Sequence, residues 1–171
     1  MLAADFATTP RLWDALDTQV FCAAIERVGV DLLYRAVLLH DAPETYIGDL
    51  TTPMKEAMRA IGDASTAAPA PLAATFGGLA AFDAIEDGIA AAVSARAGLA
   101  WPLDHIVEAA VKRADARMLA TELRDLMAAP PRSWRLAHTP IAMPAIRPLL
   151  PLPAEVDFFG ALARAGLDPR A

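Results

Sequence analysis

The residues best suited to chemistry lie in one short stretch, His40 to Lys55. It follows the apolar run Ala36 to Leu39 and reads His-Asp-Ala-Pro-Glu-Thr-Tyr-Ile-Gly-Asp-Leu-Thr-Thr-Pro-Met-Lys. If His40 and Asp41 lie on one helix, their side chains point about 100° apart, and they can bind one metal ion from adjacent directions when other helices complete the ligand set. Glu44 follows within a helical turn, where a carboxylate can hold a water molecule near the ion without binding the ion itself.

A His-Asp pair by itself is more often a capped helix end or a solvent-exposed pair than a metal site. Here the pair is followed at close spacing by Glu44, Asp49 and Lys55, which a solvent-exposed helix end does not require. Pro43 cannot donate a backbone hydrogen bond, so we expect the helix to kink or end there, with a loop as far as Pro53. The whole stretch therefore favours a functional site over a simple helix terminus.

The stretch from His40 to Lys55 resembles the signature of HD-domain metal-dependent phosphohydrolases, particularly the branch containing bacterial 5'-deoxynucleotidases. The shared pattern is His-Asp-x-x-Glu followed by Gly-Asp-Leu-x-Thr-Pro-x-Lys. A second match lies downstream, where Val111-Lys112-Arg113-Ala114-Asp115 is followed by Arg117-Met118-Leu119-Ala120-Thr121-Glu122 and Arg124-Asp125-Leu126-Met127. The resemblance covers roughly residues 12 to 165, with weaker similarity between the two motifs.

The resemblance implies a phosphohydrolase that acts on a nucleotide, most typically a deoxynucleotide, or on a similar small phosphate ester. It assigns the metal ligands His40, Asp41 and Asp115, with Glu44 to orient or deprotonate the attacking water and Asp49 to act as general acid or base on the ester oxygen. Lys55 is a candidate phosphate contact, or equally a solvent-exposed helix residue. This ligand set suits Mn²⁺, Co²⁺ or Fe²⁺ better than Zn²⁺ or Mg²⁺.

Asp115 also has an interpretation that is independent of the resemblance. It falls within the apolar stripe of a long predicted helix, between Val111 and Met118. A carboxylate that faces a core is costly unless it is paired or bound to a metal. Both a salt bridge and metal ligation satisfy that condition, and the resemblance favours ligation.

The chain departs from the family pattern at the first metal ligand. In the family this is a His in a stretch resembling Glu-His-Ser, whereas Thr18 occupies the corresponding position here. A neutral hydroxyl is a poor ligand for a transition metal. Either the site is weakened, or another group such as Asp17 completes it, or the chain is a degenerate HD domain that binds a nucleotide or a partner without catalysis.

Composition predicts a helical protein of one domain. The chain has 171 residues, of which 56% are hydrophobic and only 6% aromatic, and Ala and Leu are abundant. Such a composition favours closely packed helices. The net charge of −6, without a cluster of Lys or Arg, makes a nucleic acid an unlikely partner. A small phosphorylated molecule, held through a metal ion, remains the expected substrate, and the apolar excess is compatible with a homo-oligomer.

The expected location is the cytoplasm. The single cysteine, Cys22, excludes an internal disulfide and lies in an apolar stretch where we expect it to be a core residue. The first nine residues lack the basic start and apolar run of a signal peptide, and no apolar stretch is long enough to span a membrane, so we expect no membrane partner.

Apolar periodicity and helix-ending Gly and Pro residues, together with the resemblance, predict an all-α, single-domain HD-type helical bundle with a proline-rich C-terminal arm. One domain is expected over residues 1–171, with a core at about 11–127 and an extended arm and final helix at 128–171. Trp134 and Ile141 are the expected anchors of the arm, and residues 62–78 form an expected irregular loop. The predicted helices are 11–28, 31–42, 53–61, 79–97, 103–127 and 154–165.

Overall fold

The computed structural model describes residues 15–65, 78–129, 134, 136 and 138–168. These residues form helices and no strand, which confirms the predicted all-α class. The chain divides into two compact units: the first comprises the described residues up to Leu39 and from Ala97 onward, and the second comprises His40–Arg96. In chain order the helices are α1 (Ala15–Val28), α2 (Val30–Leu39), α3 (Glu44–Ile47), α4 (Thr52–Ser65), α5 (Gly78–Ala97), α6 (His105–Asp125) and α7 (Pro151–Arg164).

The predicted helices are present, but several of their ends differ. Residues 11–14 of the first predicted helix and residues 66–77 of the predicted loop lie outside the described residues. Helix α4 continues to Ser65, beyond the expected end at Ile61. Helix α7 begins three residues earlier than predicted, at Pro151, because proline is well tolerated in the first turn of a helix.

The core of the first unit lies where α1, α2 and α6 pack against one another. On α6 its members recur at positions three and four residues apart, which places them on one helix face. Ala24 and Ala110 are completely buried, and such small side chains let helix axes approach closely. The buried core residues are Phe21, Ala24, Leu33, Ala36, Val107, Ala110 and Val111.

Local sequence determines how α1 ends and how α6 begins. Gly29 has a φ of +83°, a left-handed conformation that glycine adopts without steric cost, and its N–H binds the carbonyl of Ile25 at 2.7 Å. Asp104 caps α6 by accepting a hydrogen bond from the Ile106 N–H at 3.0 Å. That backbone hydrogen bond, followed by one from Arg27, lowers the pKa of Asp104. Gly29 and Asp104 thus define the last turn of α1 and the first turn of α6.

Arg35 joins two helix C-termini within the first unit. Its Nε donates to the carbonyl oxygen of Ala165 at 2.7 Å, and its Nη1 donates to that of Ala97 at 2.9 Å. Carbonyls at a helix C-terminus have no partner within the helix and carry the negative end of the helix dipole. A guanidinium satisfies both requirements, so Arg35 fixes α7 against α2.

The proline-rich arm is held against the C-terminal half of α6 by polar groups. Thr121 is completely buried, and its hydroxyl accepts the Ile141 N–H at 2.9 Å. Arg124 donates to the Ile141 carbonyl at 3.0 Å, and the Asp125 carboxylate accepts the Ile146 N–H at 2.9 Å. Ile141 is buried, as predicted, whereas Trp134 is 45% exposed, so the expectation that it anchors the arm is wrong.

The second unit contains α3, α4 and α5. The described buried residues on α5 are Leu79, Ala90 and Ser94, together with Ala97 at its end, which belongs to the first unit. Asp83 and Asp87 on the same helix are exposed, as expected for charges on the outer face. The carboxylates predicted to act in chemistry, apart from Asp115, belong to this unit.

Within the part of the chain that is described, no helix combines the length and apolar character needed to cross a bilayer. Cys22 is exposed on α1, so the expectation of a core cysteine is wrong. Its neighbour Phe21 occupies the core instead, because adjacent residues on a helix point about 100° apart.

Candidate functional site

His40 and Asp41 lie in a turn that follows α2, and not within a helix as predicted. Helix α2 ends at Leu39, and residues 40–43 form the turn. Pro43 explains this end, because its ring crowds the carbonyl four residues earlier, that of Leu39, and it has no N–H to donate to it. The turn closes when the Glu44 N–H binds the Asp41 carbonyl at 3.0 Å.

The His40 and Asp41 side chains approach each other closely. His40 Nε2 and Asp41 Oδ2 lie 3.2 Å apart, and the two side chains are 28% and 63% exposed. Donor atoms at this separation can both lie at about 2.0–2.2 Å from a single cation, the usual length of imidazole and carboxylate bonds to a metal such as zinc. The pair therefore has the donor chemistry and spacing for two of the three predicted ligands.

Glu44 begins α3 and has the most informative electrostatic environment in the segment. Its side chain is partly buried, and its pKa is raised above the ordinary value of 4.5. Desolvation is the largest cause, followed by the negative charges of Asp41 and Asp49, while Lys55 partly opposes them. Like charges gathered around a partly buried carboxyl disfavour its ionised form. Glu44 therefore holds a proton more strongly than an isolated glutamate does.

Asp49 and Lys55 reach this cluster from the turn after α3 and from α4. Gly48 has a φ of +77° and ends α3, with its N–H on the Glu44 carbonyl at 2.8 Å. Asp49 follows directly and is exposed, while Lys55 is half-buried one turn into α4. Both charges affect the pKa of Glu44, so the structure brings these predicted residues into one electrostatic neighbourhood.

Glu86 is a member of this neighbourhood that the sequence analysis missed. Its charge also raises the pKa of Glu44, although it belongs to α5 and lies more than forty residues further along the chain. In the sequence Glu86 is one of several acidic residues on this helix, and such charges most simply face solvent. Pairing of α5 with the motif segment is a tertiary feature that periodicity alone does not predict.

Asp115 does not face the core, so the physical argument for it as a buried carboxylate is wrong. It is exposed on α6. The buried face of α6 includes Val111, Arg117 and Thr121, and Asp115 points about 100° away from its neighbour Ala114. Exposure leaves the carboxylate accessible to a ligand, but it removes the energetic reason for expecting one.

Asp17, rather than Asp115, is a fully buried carboxylate in the described part of the first unit. Its side chain is completely buried and forms ion pairs with Arg113 and Arg117 of α6, which are 17% and 4% exposed. The spacing contained this signal, because Asp17 is in helical register with Phe21 and Ala24 on the core face of α1. Its carboxylate is occupied by two guanidinium groups, which contradicts the suggestion that Asp17 completes a metal site, and Thr18 beside it is exposed.

The predicted ligands belong to different units: His40 and Asp41 to the second and Asp115 to the first. Among the described residues, no group of three or more His, Cys, Asp or Glu side chains could hold a metal ion. The residues present thus supply a two-donor pair with suitable chemistry, and they do not form a complete metal centre.

Comparisons with known proteins do not extend this picture. Neither the protein-family models, nor the curated proteins, nor the solved structures that were searched gave a match to this chain. A function for it therefore follows from the motif and from the contacts around Glu44.

Proposed function

We propose that this chain is a phosphohydrolase of the HD-domain type that acts on a nucleotide or a similar small phosphate ester, with deoxynucleotides as the first substrates to test. The observation that carries the proposal is the raised pKa of Glu44 amid Asp41, Asp49 and Lys55. Perturbed carboxyl groups of this kind are found preferentially at catalytic sites. The resemblance of His40 to Lys55 to the family signature gives the reaction class.

Glu44 is the proposed general base. A carboxylate with a raised pKa accepts a proton from water more readily at neutral pH than an ordinary glutamate does. Desolvation and neighbouring negative charge supply that shift here. Asp49 is exposed at the end of a tight turn and is the proposed acid or base at the ester oxygen. Lys55 provides a positive charge within the cluster and is the proposed contact of the phosphate group.

The proposal includes a divalent cation at His40 and Asp41, Mn²⁺, Co²⁺ or Fe²⁺ before Zn²⁺ or Mg²⁺. Such an ion lowers the pKa of bound water and offsets phosphate charge. The His40 and Asp41 donor atoms lie 3.2 Å apart, a separation that suits two ligands of one ion. The described residues form no three-residue metal-binding group, and Glu44, Asp49 and Lys55 have their proposed roles through their own charges.

A second candidate function is binding of a nucleotide without hydrolysis. It is favoured by Asp17, whose carboxylate is held by Arg113 and Arg117 beside Thr18, the position where the family has its first His. A chain without that His, and without a substitute for it at Asp17, fits a degenerate HD domain.

A phosphate-release assay separates the two candidates. The full chain is incubated with a panel of deoxynucleoside mono- and triphosphates in the presence of Mn²⁺, Co²⁺ or Mg²⁺, and inorganic phosphate is measured. Asp41→Ala is the test variant, and Asp31→Ala, which removes an exposed aspartate from α2, is the matched control. We expect metal-dependent release by the wild type and by Asp31→Ala, and no release by Asp41→Ala.

Calorimetric titration of the same nucleotides tests the second candidate. If no nucleotide is hydrolysed but one is bound, and Asp41→Ala weakens that binding, the non-catalytic module is correct. If the wild type neither binds nor hydrolyses any member of the panel, both candidates are wrong.

A further inference from the structure

We propose that the segment from His138 to Ile146, called here the strap, opens from α6 and closes on it as one unit while the core of the first unit stays folded. The strap and α6 both belong to the first unit. The strap contains none of the residues given a role in hydrolysis, so this inference is independent of the proposed function.

Two α6 side chains accept hydrogen bonds from backbone N–H groups of the strap. The Thr121 hydroxyl accepts the Ile141 N–H at 2.9 Å, and the Asp125 carboxylate accepts the Ile146 N–H at 2.9 Å. Thr121 and Asp125 are four residues apart, so they lie on one face of α6. The middle and the end of the strap are therefore held by a single helix face.

Two arginines of the same helix donate hydrogen bonds to backbone carbonyl groups of the strap. Arg117 Nη2 donates to the Pro140 carbonyl at 3.2 Å, and Arg124 Nη1 donates to the Ile141 carbonyl at 3.0 Å. Like the N–H contacts, these involve backbone atoms of the strap and not its side chains. Water can replace them when the strap leaves α6, because hydrogen bonds to protein and to water differ little in free energy.

The strap has little apolar anchoring. Ile141, which is 8% exposed, is its only buried residue, and residues 142–145 are exposed. A region that buries few apolar side chains opens at a lower free energy than the packed core of the same protein. The strap should therefore open far more often than the core formed by α1, α2 and α6.

The α6 side of the contact keeps its own polar partners when the strap leaves. The Thr121 hydroxyl donates to the Arg117 carbonyl at 2.7 Å. The Arg117 guanidinium is paired with Asp17, and that of Arg124 with Asp125 at 2.6 Å. Because these side chains are held in place without the strap, opening requires no rearrangement of α6, and the strap closes on a preorganised surface.

The helices on both sides of the strap are held within the first unit. Helix α6, which precedes it, packs against α1 and α2. Arg35 on α2 donates to the Ala165 carbonyl at the end of α7, which follows it. Opening is therefore a local movement between two fixed helices. It brings the Thr121 hydroxyl and the Arg117 guanidinium, both buried in the closed state, into contact with water.

Native-state hydrogen exchange of the full chain, measured by NMR at several low urea concentrations, tests the proposal. The strap supplies three hydrogen-bonded amides, those of Ile141, Ile146 and Met143, whose N–H binds the Ile141 carbonyl at 2.9 Å. We expect these amides to share one protection factor that changes little with urea. They should exchange at least about 100-fold faster, relative to unprotected amides, than those of Ala110 and Val111 in the core.

Thr121→Val tests whether the strap opens as one unit. The variant leaves the Ile141 N–H without its acceptor, so we expect this amide to exchange about 5- to 100-fold faster. The Ile146 amide should accelerate by the same factor, although its own acceptor is Asp125. Thr139→Val makes the same change at an exposed position of the strap and should alter neither rate.

Ile141→Val is a second variant that does not put folding at risk, because it removes a single carbon from a mostly exposed segment. We expect it to accelerate exchange of the Met143 and Ile146 amides equally, by about 2- to 10-fold. Circular dichroism establishes that each variant keeps the helical content of the wild type. If Thr121→Val does not fold, Ile141→Val decides by the same comparison.

Strap amides that exchange only as fast as those of Ala110 and Val111 overturn the proposal, because the strap would then open only when the whole unit unfolds. Different protection factors within the strap also overturn it. So does a folded Thr121→Val variant that accelerates exchange at Ile141 but not at Ile146, because the contacts would then open one at a time.

Discussion

Two clusters of ionisable side chains in this molecule have opposite character. In the first unit, the Asp17 carboxylate is completely buried and paired with Arg113 and Arg117. In the second unit, Glu44 is only partly buried, and negative charges dominate its neighbourhood. One cluster neutralises its buried charge with opposite charge, and the other gathers like charges around a proton-binding group.

The difference separates a structural role from a chemical one. A buried carboxylate between two guanidinium groups has its charge compensated within the fold. A carboxyl whose ionised form is disfavoured is suited to proton transfer at the expense of some stability. Asp17 is thus part of the framework of the first unit, while the segment from His40 to Lys55 contains the residues proposed to act in chemistry.

The largest effect is expected from Asp17→Asn. This change leaves Arg113 and Arg117 without the carboxylate that compensates them, and breaking a buried pair in this way costs about 3–5 kcal/mol in the free energy of unfolding. Urea unfolding followed by circular dichroism measures the loss. Asp31→Asn, at an exposed position on α2, is the control and should change stability by less than about 0.5 kcal/mol. A loss below about 1 kcal/mol in Asp17→Asn would contradict a structural role.

Thr121→Val, also in the first unit, should have the next largest effect on stability. It keeps the side-chain shape but removes the hydroxyl that accepts the Ile141 N–H and donates to the Arg117 carbonyl at 2.7 Å. A buried donor left without an acceptor costs about 1–3 kcal/mol. We also expect faster hydrogen exchange at the Ile141 amide. Thr139→Val, at an exposed position, serves as control, and unchanged exchange in Thr121→Val would show that the hydroxyl does not hold the arm.

The pH dependence of stability should distinguish a carboxylate that is paired with a cation, Asp125, from one that is surrounded by negative charge, Glu44. Hydrogen bonds from Arg124, then from the Ile146 N–H, lower the pKa of Asp125 from 3.8 to about 2. Its contribution to stability is therefore present above pH 3.8 and is lost as the pH falls through 2. The pKa of Glu44 is raised above 4.5, so its contribution is present below pH 4.5 and is lost as the pH rises through the folded-state pKa.

Asp125→Asn should therefore lower the urea midpoint at pH 7, whereas Glu44→Gln should raise it, because glutamine removes a carboxylate that the fold disfavours. Both differences from the wild type should shrink in acid, where both carboxyl groups become protonated. If the two substitutions change the midpoint at pH 7 in the same direction, the contrast between a paired carboxylate and one surrounded by negative charge fails.

The smallest effects are shifts in the pKa of Glu44 itself. Carbon-13 NMR of its carboxyl group measures them. Asp41→Asn should lower this pKa toward 4.5, and Asp49→Asn should lower it by less, in the order of their contributions. Lys55→Met should raise it further, because Lys55 favours the ionised form. Asp83→Asn, which changes an exposed carboxylate on α5, is the control. A shift of the wrong sign in Lys55→Met would place Lys55 outside the cluster.

Local signals in the sequence predicted most of the fold. Apolar periodicity predicted the helices, and Gly29 predicted the end of α1. The order of residues after His40 predicted that Glu44, Asp49 and Lys55 lie near one another. The break after Leu39 was less well predicted. Pro43 acts on the carbonyl four residues before it, so the helix ends ahead of His40 and not at the proline.

Predictions that depended on tertiary contacts were less successful. Asp115 and Asp17 both lie in or beside an apolar stripe, and sequence alone does not show which carboxylate faces a partner helix. Arg113 and Arg117 are close to Asp115 in sequence, but their ion-pair partner is Asp17 on α1. The contribution of Glu86 to the cluster likewise depends on how α5 packs.

Metal-dependent phosphate release by the wild type and by Glu44→Gln tests the central claim most directly, because this substitution removes the proposed general base without adding a charge. We expect the wild type to release phosphate from at least one deoxynucleotide and Glu44→Gln to be slower by about 100-fold or more, although it unfolds no more easily than the wild type. Equal release by the two proteins, or no release by the wild type with any nucleotide and metal tested, would contradict a catalytic site at His40 to Lys55.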